Sequence, residues 1–315
     1  MRVREPQNIY LRRRLTALGV LLVLVVIAGV LIGSGDGGEA PEPKAARDVV
    51  QVDAPSELPR GGRSVLPEHR VVAFYGAPQS NELGVLGIGE PDRAARRLAR
   101  QAKPYGTKQR PALPALELIT VIANADAGDD GMYRARQEDA VIGRYLRAAR
   151  RAKALLLLDI QPGRADFFTE TTRLERWLKE PDVGLALDPE WRVREGEVPG
   201  QVIGHVEARE VNATCAWLAK LVAQEKLPEK LVVIHQFTED MVDETALKAR
   251  DGLAIVLNAD GFGGRAVKRA KYHAFTREEH GFYPGFKLFY EEDENLMSPR
   301  SVLRLKPPPD FVVYE

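Results

Sequence analysis

Five acids in this chain follow short apolar runs: Asp159, Asp188, Glu190, Asp260 and Glu291. The clearest case is Val183–Trp191, VGLALDPEW. Its first five residues suit a strand buried on both faces. Pro189 cannot extend a central strand, so the strand is expected to end at Asp188. The same order recurs in Leu155–Leu158 before Asp159 and Gln161, Leu231–Ile234 before His235 and Gln236, Ile255–Leu257 before Asp260, and Phe286–Tyr290 before Glu291. Paired carboxyls can divide acid and base work when a shared, partly buried site raises one pKa. Asp188, Glu190, Asp159 and Asp260 are therefore the candidate catalytic acids. Each has a plainer reading as a helix cap or a partner for arginine or lysine. If strand alternation continued through Pro189, Asp188 and Glu190 would point the same way.

Around them stand candidate substrate-binding groups: His235, Gln236, Trp191, Lys287, Gln161 and Glu291. Alternation sends only one of His235 and Gln236 into a shared site. Lys287 lies inside an apolar strand, so an ion pair with Asp260 or Asp188 is expected. Trp191 offers an apolar face of the kind that packs on sugar C–H groups, or a hydrophobic plug. No HxH or HExxH spacing occurs, so neither a metal nor a cofactor is indicated. The single cysteine, Cys215, excludes an intrachain disulfide.

The elements that must position these residues alternate along the chain. Strands are predicted at 70–75, 116–123, 154–159, 183–188, 230–235, 253–258, 285–290 and 310–314. Helices are predicted at 91–103, 132–151, 166–179, 207–226, 243–249, 264–275 and 298–305. In the fourth of these, Val211, Cys215, Leu218 and Val222 form one stripe. Eight strands with seven helical connections predict an α/β fold, a (β/α)8 TIM-like barrel over residues 70–315. The long polar links follow strands and the short ones follow helices, which gathers the candidates at the strand C-termini. A doubly wound open sheet, with the last strand at its edge, is the rival fold.

Ahead of the barrel, residues 1–14 carry five arginines against one glutamate. Residues 15–33 are apolar and uncharged, long enough at about 1.5 Å per residue to span a roughly 30 Å hydrocarbon core. The flanking charge predicts a cytoplasmic tail, a single-pass signal anchor and an extracytoplasmic barrel. A cleaved signal peptide is the alternative, although Pro41 directly follows the best cleavage candidate, Ala40. Residues 34–69 read as a flexible linker. The chain has 315 residues, 29% of them charged, at zero formal net charge; beyond the basic tail it is mildly acidic, which argues against a nucleic-acid partner.

The stretches LLLLDIQPG, LALDPEW, Gly200–Asn212, LVVIHQF, NADGFG and GFKLFYEED together resemble a family of exported, membrane-tethered TIM-barrel proteins of actinobacteria. The resemblance covers about Val71 to Glu315. It implies the barrel and the exported location, and its similarity to glycoside hydrolase barrels is one of fold. Asn258 stands where a histidine would be expected. The leading expectation is a carbohydrate-active hydrolase acting on cell-wall or capsular glycan. The rivals are a non-catalytic glycan- or protein-binding surface module and a metal-dependent hydrolase using Asp159, Asp188 and His235.

Overall fold

A computed structural model describes residues 56–277 and 281–315. The basic tail and the apolar stretch 15–33 lie outside the described residues. Among those described, no helix is long and apolar enough to cross a membrane.

The strands are β1 (Arg70–Gly76), β2 (Ala112–Ala123), β3 (Arg134–Arg136), β4 (Leu155–Ile160), β5 (Val183–Leu187), β6 (Lys230–Gln236), β7 (Leu253–Ala259), β8 (Tyr283–Leu288) and β9 (Phe311–Tyr314). All but β3 are parallel, in the order β1-β9-β8-β7-β6-β5-β4-β2, and β1 pairs with β2 to close the ring. The result is a closed eight-stranded parallel barrel. The last strand is not an edge, because β9 lies between β8 and β1 (Val71 opposite Phe311, Gly285 opposite Phe311).

The helices are α1 (Pro91–Ala102), α2 (Asp139–Arg151), α3 (Phe167–Arg173), α4 (Glu175–Leu178), α5 (Ala208–Gln224), α6 (Arg265–Phe275) and α7 (Pro299–Val302). Pro91 opens α1, where a missing N–H costs nothing. Ser298 caps α7 by accepting from the Ser301 N–H. The α5 stripe is inward as expected, and burial pushes the Cys215 thiol up to about 12, which leaves it inert.

Four helical expectations change. The one over 298–305 shrinks to Pro299–Val302. Residues 134–136 pair antiparallel with β2, so the helix expected from 132 begins at Asp139. The helix expected over 166–179 breaks at Leu174. The one expected over 243–249 shrinks to a single 3-10 turn, Glu244–Ala246.

Period-two alternation divides the strand residues into two apolar clusters. Val72, Phe74, Leu156, Leu187 and Ile234 pack outward under the helices. Val71, Ala73, Leu113, Leu157, Val233 and Val313 belong to the interior cluster. Leu58, Val65 and Leu66 join that interior cluster, so order begins ahead of Arg70. The Val65 and Leu66 N–H groups donate to Glu229, and Arg63 donates to the carbonyls of Lys226 and Leu227. This segment closes the floor.

Candidate functional site

On each barrel strand the inward-facing phase reads apolar or small at its lower positions and polar at its upper one. The upper residues are Tyr75, Glu117, Asp159, Asp188, His235, Asn258, Lys287 and Glu315. A strand sends every second residue to the same face, so these eight share the C-terminal end of the barrel. The local sequence makes room for them: a Cβ on Gly285 would stand 2.7 Å from the Asn258 Oδ1.

His235 is the hub. Its Nε2 lies 2.9 Å from Glu117 Oε1 and 3.9 Å from Asp159 Oδ1. Its Nδ1 lies 3.2 Å from Asp260 Oδ2 and 3.2 Å from the Asn258 amide nitrogen. Lys287 completes a second ring of contacts, 3.0 Å from Asp260 and 2.7 Å from Glu315, with its ammonium 4.0 Å from the Tyr75 ring centroid. The Tyr75 hydroxyl donates to Asp159 Oδ2 at 3.2 Å and accepts from Gln161 Nε2 at 2.9 Å. Gln161 is fixed in turn, because its Oε1 accepts from the Ala123 N–H. Glu117 and Asp159 have no measurable exposure.

The electrostatics sort the carboxyls. Burial, then the neighbouring charge of Asp188, pushes Asp159 well above the usual aspartate range. Burial, then Asp260, does the same to Glu190. Burial works on Asp260 in the same sense, but Lys287 and His235 outweigh it and hold Asp260 below its ordinary range. Burial opposes charge on His235 and Lys287 too. Glu117 and Asp260 overcome it at His235, and Asp260 and Glu315 overcome it at Lys287, so both bases are raised. The Tyr75 phenol is raised by burial and by Asp159.

Of the sequence candidates, Asp159, Asp188, Glu190, Asp260, His235, Gln161 and Lys287 come together in the mouth. Asp188 and Glu190 do not continue the strand alternation: Pro189–Trp191 is a 3-10 turn. Asp188 therefore raises Asp159, while Glu190 is itself raised by Asp260, and Lys287 interacts with both acids. Trp191 sits half-buried on that turn. Gln236 takes the opposite phase from His235, and its amide donates to Glu244. Glu291 stands exposed in the loop after β8, outside the cluster. The acid of that loop that turns inward is Asp293, which pairs with Lys268 at 2.9 Å and accepts from the N–H groups of Gly263 and Phe289.

Glu117, Glu315, Asp293 and Lys268 were not singled out from sequence. Glu117 had a visible signal, because it is the one charge in the apolar run Ala112–Ala123. It also keeps step with Leu113 and Ala115. Over the mouth, Phe237, Met241, Ile203 and Phe262 form a small apolar cluster of their own. At its rim, buried Glu170 is held by Arg134 at 2.9 Å and Arg136 at 2.6 Å, which ties β3 to α3.

Glu117, Asp159 and His235 also offer one donor atom each within 4.8 Å of one another, a spacing that could hold a metal. Spacing along the chain does not reveal this set, since its members come from three strands. No protein-family model matches the chain, and no curated protein matches it.

Proposed function

We propose that the barrel mouth is a hydrolytic site for carbohydrate, with Glu190 as proton donor and Asp260 as the ionised carboxylate. Cleavage of a glycosidic bond needs both: an acid for the leaving oxygen, and a carboxylate acting as base or nucleophile. The observation that carries the reading is the contrast between two neighbours. Burial and Asp260 raise Glu190 well above its ordinary pKa, while Lys287 at 3.0 Å helps hold Asp260 below its own. Oppositely biased carboxyls in one cleft mark an acid and its partner. Trp191 and the aromatic cluster above the mouth supply apolar faces for a sugar ring.

The arginine-flanked stretch 15–33 supports a placement outside the membrane, so cell-wall or capsular glycan is the substrate class in reach. The test is to incubate the purified full-length chain with cell-wall and capsular glycan fragments and to measure both binding and new reducing ends. New reducing ends, lost in Glu190→Gln, support the reading. Neither binding nor cleavage across the panel overturns it.

A second reading, a non-catalytic glycan- or protein-binding module, rests on a different observation: Glu117, Asp260 and Glu315 are all engaged by His235 or Lys287. Binding with no release of reducing ends would select it.

A further inference from the structure

We propose that Glu117, Asp159 and His235 form a site for one divalent cation of the zinc–manganese class, deep in the mouth and independent of the role given to Glu190. One donor atom from each of the three lies within 4.8 Å of the others. A tetrahedral ion at about 2.1 Å from each ligand requires donor-to-donor edges of about 3.4 Å. The His235 Nε2 separations, 2.9 Å to Glu117 and 3.9 Å to Asp159, bracket that edge. Shifts of about half an ångström would close the site around an ion.

Two further observations point to a ligand. Glu117 Oε2 and Asp159 Oδ1 are fully buried and have no hydrogen-bond partner. A buried carboxylate oxygen without a donor is costly, and a cation held by the two carboxylates would lower that cost. The surroundings are also those of a ligand set held from behind. Asp260 stands at the His235 Nδ1, where it fixes the tautomer that leaves Nε2 for a metal. Tyr75 holds Asp159 by its other oxygen, and Gln161 holds Tyr75. When the imidazole is doubly protonated, its Nε2 proton lies in the 2.9 Å contact with Glu117. Cation binding would release the Nε2 proton, and any proton held by Asp159, to solvent and leave the Nδ1–H donating to Asp260. One imidazole with two carboxylates suits Zn²⁺ or Mn²⁺ better than Mg²⁺ or Ca²⁺, which prefer all-oxygen shells.

The experiment is a calorimetric titration of the full-length chain, stripped with chelator, in two buffers of different ionisation enthalpy near neutral pH. Zn²⁺ and Mn²⁺ are expected to bind at one per chain with release of a proton, and Mg²⁺ and Ca²⁺ at least tenfold more weakly. Glu117→Gln and Asp159→Asn are each expected to weaken binding at least tenfold, while Asp92→Asn, on exposed α1, leaves it unchanged. Should the mouth variants fail to fold, imidazole ¹⁵N spectra of the wild-type chain decide, with one of its five histidines shifting on Zn²⁺ addition. The proposal is overturned by no saturable one-to-one binding at about 1 mM Zn²⁺ or Mn²⁺. It is equally overturned by unchanged affinity in both folded variants, or by no histidine shift. None of these readouts uses hydrolysis, so they stand or fall apart from the role of Glu190.

Discussion

Two of the buried lysines, Lys230 and Lys287, lie at opposite ends of this barrel and are held in opposite ways. Lys230 begins β6 near the floor. Its ammonium donates to two backbone carbonyls, Glu180 and Val183, each at 2.7 Å. Lys287 ends β8 in the mouth and meets two carboxylates, Asp260 at 3.0 Å and Glu315 at 2.7 Å. Both are at most 3% exposed. Burial pulls Lys230 down to about 7, and the nearby Asp182 only partly resists, because Arg150 already engages that carboxylate at 2.7 Å. Burial pulls on Lys287 too, yet it ends above its ordinary value. Dipoles satisfy hydrogen bonds but cannot offset the desolvation of a full charge; carboxylates can. The floor therefore tolerates a lysine that readily sheds its proton, whereas the mouth fixes a set of charges.

The largest effect is expected from removing the fixed charge. Lys287→Met leaves Asp260 and Glu315 without their cation and should cost roughly 3–5 kcal/mol of unfolding free energy, measured by denaturant titration. A cost under about 1 kcal/mol would mean that the mouth carboxylates are solvated rather than paired. Next comes Asp260→Asn, which takes one of the two carboxylates from Lys287 but leaves Glu315. The loss of charged hydrogen bonds to Lys287 and His235 should cost roughly 1.5–3 kcal/mol. This variant also makes Lys287 more like Lys230, so its pKa should fall.

The floor lysine is tested by pH. Its folded pKa, about 7, lies below its ordinary value of 10.5. Between those values the unfolded chain binds the proton and the folded chain does not, so stability rises with pH, by at most about 1.4 kcal/mol per unit. Lys287 has the opposite sign. Its folded pKa is raised, so its contribution is complete below 10.5 and fades only as pH climbs through the raised value. The measurement is the stability of Lys230→Met and wild type from pH 7 to 10, read as a difference. A difference independent of pH in this window would show that Lys230 stays charged in the fold.

How far the sequence discloses this arrangement depends on what sets each residue. Barrel class, the eight parallel strands and the gathering of acids at one end follow from short apolar runs ending in polar residues, and local sequence carries that pattern. Asp159, His235 and Lys287 are legible because each holds the third inward position of its strand. Glu117 obeys the same rule and stands out as a lone charge, but the apolar run continues past it, so nothing marks it as a strand end. The division of Asp188 from Glu190 is not local, since it arises when Pro189 starts a 3-10 turn that carries Glu190 toward Asp260. The His235 contacts with Glu117 and Asp260 are likewise set by barrel closure. The β3 pairing is tertiary too, tied down where Arg134 and Arg136 meet buried Glu170.

The smallest effect on stability is expected at Glu190, and there its sign is informative. Glu190 is nearly buried, and its folded pKa is raised above 4.5 by burial and by Asp260. The unfolded chain loses this proton near pH 4.5 while the folded chain keeps it, so the group subtracts stability as pH rises from there to the folded value. Glutamine resembles the protonated acid in size and cannot ionise. Glu190→Gln should therefore match wild type below pH 4.5 and become the more stable of the two as pH rises. Lys287→Met and Asp260→Asn lower stability; this substitution should raise it, because it removes a buried acid that no fixed cation offsets in full. If the reading of Glu190 as proton donor holds, the same variant loses roughly 10²–10⁴-fold in hydrolysis while gaining stability. Melting curves across pH, beside reducing-end assays, separate the two properties. A variant less stable than wild type at neutral pH would show that Glu190 is ionised and paired in the fold, and would remove it as the acid.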